Sequence, residues 1–412
     1  TFLYVRNEIA KTEIAPGIRI SIEKLPTELQ PIANYVDSCI KSIGTTALKR
    51  IGQTGGFENP ANTNPLVPTE SPSVELLEGS GLNVAYWYHL KDSNKCTTCT
   101  LGFGKPHLYK KDGMPSIETE LGKYVDKNLN ECLNNFEIFS KQGINVIPSG
   151  NITTDVSVTD DYVVFVVDYP LKIQLAGNEK TAAKFYSAIP LKLKKMYSLA
   201  NYITELEASN SFIEKDVLNL IVGFSGVNEN KLPPMADLRF GHSSKVRWRK
   251  SKVKEDIMNM LASYIPLLQV QGTKNYKEID VNNELGNSLY NRGMLIPSDS
   301  SFSDFEAGFD YLGWQPYFNL NCRGELCEPE SMSFALLQVF GIQNYNFVYD
   351  LSFPVLVSIN DPSALAGNGY LFQFMLESNI RSNSPLQANF TPVEAIDMEE
   401  SMFCDIDKRN SG

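Results

Sequence analysis

Seven cysteines, at 39, 96, 99, 132, 322, 327 and 404, restrict what this chain can fold into more than any other feature. Two of them follow the same tripeptide: Tyr35-Val36-Asp37 precedes Cys39, and Tyr124-Val125-Asp126 precedes Cys132. Each cysteine lies one or two helical turns beyond its tyrosine and so shares its face. Around the first copy, Leu29, Ile32, Val36, Cys39, Ile40, Ile43, Ala47, Leu48 and Ile51 recur at steps of three and four. That spacing predicts an amphipathic helix of about 25 residues, stopped at Gly55-Gly56, where glycine can adopt a left-handed cap. A second helix is predicted after Pro115-Ser116, with Ile117, Leu121, Val125, Leu129, Cys132, Phe136 and Phe139 on one side. If the two faces meet, a Cys39–Cys132 bond closes a loop of about 90 residues, worth ~4 kcal/mol in the chain-entropy account. Two buried free thiols are the alternative, because cysteine packs well as a small apolar group.

Cys96 and Cys99 form a CxxC, Cys322 and Cys327 close the short CRGELC stretch, and Cys404 stands alone. Three pairs and a remainder is the pattern of a disulfide framework, which points to an oxidising compartment. His89, Cys96, Cys99 and His107 also offer four zinc ligands within a short segment, while the same segment reads equally as a hairpin tip closed by a local disulfide. The sequons at Asn151 and Asn389 agree with an exported chain, the second weakened by Pro392.

A chain of 412 residues, 42% apolar and 21% charged, is ordinary globular material that exceeds one typical core. The expected fold class is α+β, with amphipathic helices packed on mainly antiparallel sheet in two domains. The expected division is a membrane-proximal stalk or anchor stub at 1–24, an α+β domain at 25–230, a β-rich domain at 231–395 and an acidic, polar tail at 396–412. Strands are expected at VAYWYHL (84–90), on both sides of Asp160-Asp161, at FVVDYPLKIQL (165–175), at FVYDLSFPVLVSI (347–359) and at NGYLFQFMLESNI (368–380). Asp168 and Asp350 should end or bulge their strands ahead of Pro170 and Pro354. Residues 57–83 read as a long loop. Helical material is expected over 179–222, kinked at Pro190.

A net charge of −11 argues against nucleic acid as a partner. KVRWRKSKVK (245–254) is the local exception: Lys245, Arg247, Trp248, Arg249 and Lys250 suit a strand with one basic face. That strand is either a solvated, guarded edge or a binding stripe for a glycan, a lipid headgroup or an acidic partner. No run of eighteen apolar residues is present. The opening TFLYVR is apolar up to Arg6, like the last turn of a spanning helix meeting water, or like a short first strand. Three histidines and the lack of HExxH, GxSxG, Walker or GxGxxG patterns leave no catalytic residue to assign, and no cofactor is expected. A carboxylate pair drawn from Asp304, Glu306 and Asp310, beside Trp314, Tyr317 and Phe318, or one drawn from Asp397, Glu399 and Glu400, would suit glycan hydrolysis. Solvated surface acids are the simpler reading.

The helix NYVDSCIKSIGTTALKRIGQTGGF, the AYWY strand, the helix LGKYVDKNLNECLNNF, and the strands VVFVVDYPLKI and YNFVYDLSFPVLVSI together resemble a set of uncharacterised surface proteins of DPANN archaea. The resemblance covers residues 25–225 and 340–385, and departs at CTTC and at 226–340. It implies a pilin-like or signal-anchor helix preceding residue 1, with the remainder exported, and it transfers no catalytic residue. The expectation is an extracellular structural or adhesion protein, a filament or surface-layer subunit. Its partners would be copies of itself or other surface proteins, with the membrane reached through that N-terminal helix. A secreted hydrolase acting on glycan or peptide, and a surface ligand-binding receptor domain, are the alternatives.

Overall fold

The computed structural model describes residues 27–390, apart from 62, 65, 176–177, 242–244, 279, 281–286, 288–290, 292, 299–301, 334–340 and 387–388. The expected anchor stub, the tail at 396–412, Cys404 and the acids at 397–400 lie outside the described residues.

Both helices of the Tyr-Val-Asp echo form. Helix α1 (Gln30–Gln53) has Pro31 in its first turn and buries Ile32, Val36, Cys39, Ile40, Leu48 and Ile51. It ends where Gly55 (φ +80) and Gly56 (φ +94) turn left-handed and the Gly56 N–H returns to the Ile51 carbonyl at 2.9 Å. Helix α2 (Ile117–Leu133) is capped by Ser116, whose hydroxyl accepts from the Thr119 N–H at 3.2 Å. The predicted helix runs on through Phe139. The chain instead breaks at Asn134, Asn135 and Phe136, all with positive φ, and a short turn of helix at Glu137–Ser140 follows. That break brings Phe136 and Phe139 to the Tyr35 ring at 6.2 and 5.4 Å. Three further helices are α3 (Leu193–Asn210), α4 (Phe212–Phe224) and α5 (Lys250–Tyr264).

The first strands are β1 (Ser73–Glu75), β2 (Asn83–Leu90), β3 (Thr100–Phe103), β4 (Asn145–Pro148), β5 (Thr153–Val158), β6 (Tyr162–Leu175) and β7 (Asn178–Pro190). Next come β8 (Asp237–Gly241), β9 (Trp248–Arg249), β10 (Gln269–Val270), β11 (Leu295–Ile296), β12 (Glu306–Asp310), β13 (Tyr317–Leu320) and β14 (Leu326–Cys327). The last are β15 (Glu330–Ser333), β16 (Gly341–Tyr345), β17 (Tyr349–Asp361), β18 (Tyr370–Arg381), β19 (Ser384–Pro385) and β20 (Asn389–Phe390). The class is α+β as expected, but the largest sheet is mixed. Its nine strands follow the order β12-β17-β18-β2-β3-β20, with β1 on β2, β13 on β17 and β19 on β18, and the β18–β2 and β3–β20 pairs are parallel. A second sheet pairs β4, β5 and β7 around β6, and a third runs β15-β16-β8.

Three expectations are corrected. Residues 57–83 are not loop throughout: Pro68–Glu70 form a short 3-10 turn and Ser73–Glu75 pair with β2 as β1. Residues 179–190 are not helical but form β7, laddered along β6 from Tyr162↔Pro190 to Leu175↔Asn178. Phe185 and Ile189 stand four apart, and with Leu193 they mimic a helical stripe, yet Phe185, Ser187 and Ile189 are buried at steps of two. Helix begins only at Leu193. Of the two Asp-and-Pro sites, β6 does shift register between Asp168 and Leu171, whereas β17 runs straight from Asp350 through Pro354, which stands opposite Glu377.

Helix α1 lies between the sheets, packing on β7 with one flank, on β18 with another and on α2 alongside. One continuous core runs from Leu29 through Trp87, Phe165, Ile203 and Ile257 to Phe374 and Ile380. β2 and β3 come from before residue 230, and the strands that pair with them, β18 and β20, from after it, so neither the sheet nor the core breaks there.

Candidate functional site

The cysteines pair as the spacing suggested. Cys39 and Cys132 are bonded across α1 and α2 with an S–S distance of 2.09 Å, and Cys96–Cys99 and Cys322–Cys327 close locally. Beside the first bond, the Tyr35 hydroxyl donates to the Cys132 and Leu133 carbonyls at 3.0 and 3.3 Å. The first tyrosine of the echo thereby closes the C-terminal end of the opposite helix, where carbonyls lack helical partners.

The zinc alternative fails on the same bonds. Cys96 and Cys99 spend both sulfurs on each other, and zinc requires thiolates. His89 is buried, its ring stacked on Tyr86 at 5.4 Å, and burial holds it neutral with a pKa lowered to about 3. His107 is likewise lowered, by partial burial and by Lys111 and Lys105. Among the described residues no group of three or more His, Cys, Asp or Glu is placed to hold a metal.

The basic stripe is not a strand. Only Trp248 and Arg249 are extended, opposite Cys327 and Leu326, and α5 starts at Lys250 because Val253, Ile257, Met260 and Leu261 supply a helical apolar face. Glu325 receives the first amides of α5, through its carbonyl from Lys250 and its side chain from Ser251 at 2.8 Å each. Trp248 is buried, its indole N–H donating to the Lys231 carbonyl at 2.8 Å and its ring meeting Tyr345 and Phe347 edge-on. Arg247 pairs with Glu328 at 2.9 Å and Lys250 donates to Asn319 at 2.7 Å. Lys245 and Arg249 are exposed, but the aromatic that would make the stripe a glycan platform faces the core.

The acids beside the aromatic segment are held by structure. Asp304 takes Lys192 and Lys195 at 3.0 and 3.1 Å, which lowers its pKa, and Glu306 accepts from Asn360 at 3.0 Å. Glu306 and Asp310 occupy the two ends of β12, about 13 Å apart along the strand, against roughly 5–9 Å for glycosidase carboxylates. The Trp314 indole N–H donates to the Glu75 carbonyl at 2.9 Å, and Arg381 lies over the Tyr317 ring at 4.9 Å. An open concavity of about 440 Å³ next to the first turn of α2 is lined largely by charge, including Lys110, Lys111, Glu120 and Lys123, and is not an apolar ligand pocket.

Asn151 is exposed in the loop leading into β5, within reach of modification, whereas Asn389 lies in β20 opposite Thr100 and Thr391 is outside the described residues.

One constellation went unread in the sequence, Glu207 on α3, Glu214 on α4 and Glu377 in the middle of β18, and a further acid, Asp216, is buried on α4. The Asn379 N–H donates to Glu214 at 2.6 Å, the Leu90 N–H to Glu377 at 2.7 Å and the Ile213 N–H to Glu207 at 3.2 Å. Glu207 Oε1 and Glu214 Oε2 have no N–H donor. Burial, then the Glu214 carboxylate, push Glu207 far above the usual range, and burial raises Glu214 as well. Desolvation raises Glu377 to about 8 and Asp216 to about 7. The signal was present: Glu207 is in helical phase with Leu199 and Ile203, and Glu377 directly follows the apolar run Phe374-Met375-Leu376.

Comparison with family models, with curated proteins and with solved structures finds no match.

Proposed function

We propose that this chain is an exported contact protein of the cell surface, structural or adhesive, that works by binding copies of itself or neighbouring surface proteins. The observation that carries the reading is that every cysteine among the described residues is in a disulfide, one of them closing a separation of 93 residues. Such a framework belongs to an oxidising compartment. Contact rather than turnover is supported by where the reactive-looking groups are spent: Trp248, Asp304 and Trp314 are engaged in packing, ion pairs and backbone hydrogen bonds. No helix among the described residues is long and apolar enough to cross a membrane, and membrane attachment through an N-terminal helix is part of this proposal.

Labelling intact native cells with a membrane-impermeant reagent, followed by fractionation and non-reducing peptide mapping, tests this. The expected result is surface labelling, a linked 39–132 peptide pair and retention with the membrane fraction. Recovery in the cytosolic fraction with free thiols would end the proposal.

A further inference from the structure

The three-stranded sheet ends in an edge strand with unusual side chains. β8 pairs with β16 on one side, from Asp237↔Tyr345 to Gly241↔Gly341, and no strand among the described residues pairs with its other side. Alternate residues of such an edge direct N–H and C=O groups outward, ready to template another strand. On the face carrying Tyr345 and Gln343 the sheet is buried against the core. On the opposite face Leu238 is 56% and Phe240 76% exposed. Edge strands are normally blunted by lysine, proline, a bulge or inward-pointing charge; Asp237–Gly241, reading Asp-Leu-Arg-Phe-Gly, has no lysine, proline or bulge, and its two charges, on the side of Tyr345 and Gln343, pair with each other.

We propose that β8 is a self-association edge, pairing antiparallel with β8 of a second copy of this chain about a two-fold axis at Leu238. The charges select both occupant and register. In this register Leu238 faces its own copy, Ala236 faces Phe240, and Asp237 faces Arg239 of the other chain, so opposite charges meet on one face and apolar groups on the other. Centring the axis on Arg239 sets two arginines opposite each other, and centring it between Leu238 and Arg239 sets Asp237 against Phe240. Only the Leu238 register satisfies both faces. Within one chain Arg239 already reaches Asp237 at 3.1 Å, so both side chains lie along the strand where a partner would meet them. The product is a continuous six-stranded sheet, β15-β16-β8 joined to its symmetry mate, an isologous contact. Five residues per chain bury far less than the roughly 800 Å² per partner of a stable complex, so association is weak and gains strength where copies are crowded on a surface. The proposal deepens the contact reading above by naming the partner, and it can fail while surface location stands.

Analytical ultracentrifugation of the purified full chain over a wide concentration range is the test. The wild type should show a reversible monomer–dimer equilibrium. Phe240→Lys should abolish dimer, Arg239→Asp should weaken it at least tenfold by setting acid against acid, and Asp237→Arg with Arg239→Asp should restore it. Melting temperature and near-ultraviolet circular dichroism should be unchanged in Phe240→Lys and Arg239→Asp, whose altered side chains are exposed. A chain that stays monomeric throughout overturns the proposal and leaves the edge to another occupant. A dimer indifferent to Phe240→Lys and Arg239→Asp overturns it equally, by assigning association to another surface.

Discussion

Glu377 is the most instructive single residue, a carboxyl in the centre of a buried strand with one backbone donor, from Leu90, and one oxygen left over. The groups facing the cluster are Tyr86 and Tyr88 on β2, both themselves raised chiefly by burial, and Arg381 at the end of β18. The sign of the pH dependence follows from the direction of the shifts. Unfolded carboxyls titrate near 4, and in the folded chain Glu207, Glu214, Asp216 and Glu377 hold their protons to higher pH. Their contribution is therefore complete below about pH 4 and is lost as pH rises through about 7 for Asp216 and about 8 for Glu377. Melting temperature should fall between about pH 5 and about pH 9, by ~1 °C for each kcal/mol lost in a chain of this size. Glu377→Gln keeps an acceptor for Leu90 but cannot ionise, so its melting temperature should exceed that of the wild type at the alkaline end. A melting temperature that climbs with pH, or a Glu377→Gln variant less stable than wild type there, would contradict this.

At the scale of elements, the α1–α2 contact depends on one covalent bond and on close approach. Cys39–Cys132 closes a loop of 93 residues and Cys322–Cys327 one of 5, and chain entropy scales with the logarithm of that length. Cys39→Ser should lower the melting temperature clearly more than Cys322→Ser, by the equivalent of ~2–5 kcal/mol for the former. Equal losses measured by calorimetry would show that local strain or packing, rather than loop closure, sets the effect. Helix α1 also meets β18 at Gly52, where an added Cβ would lie 2.6 Å from the Tyr370 hydroxyl oxygen and 2.7 Å from the Leu371 carbonyl. The backbone carbonyl cannot swing aside, so Gly52→Ala should cost about 1–3 kcal/mol through overpacking, read as a lower denaturation midpoint at unchanged slope. A midpoint within error of wild type would mean that α1 shifts freely on the sheet.

For the whole molecule, the decisive contact joins distant parts of the chain: β2 lies between β3 and β18 in the large sheet. Trp87 on β2 stacks on Phe374 of β18 at 4.6 Å and donates its indole N–H to the Gly55 carbonyl at 2.9 Å. A fragment of residues 27–230 would expose one edge of β2 and one side of that tryptophan. It should lack a cooperative thermal transition and bind hydrophobic dyes. A sharp two-state melt from the fragment would establish 27–230 as an independent domain. The same exposed-edge logic, applied to β8, is what links the fold to a contact function.

Local pattern was enough for α1, for the start of α2, for the β5–β6 hairpin, for β17 and β18 and for the three cysteine pairs, because there the apolar spacing has a single period and the chain's own punctuation, Gly55, Ser116 or Asp160-Asp161, marks the ends. It misled at 179–190, where Phe185, Ile189 and Leu193 fit a helix by spacing and only the ladder offered by β6 decides for strand. It misled again at 245–254, where an alternation of bases concealed the apolar face that begins with Val253. What tertiary structure alone decided is how residues hundreds of positions apart share surroundings: Leu90 with Glu377, Glu214 with Asn379, and Trp87 with Phe374. Burial, and with it the protonation of a carboxyl or the freedom of a strand edge, is a property of those neighbours, and neighbours across a sheet are not written in sequence order.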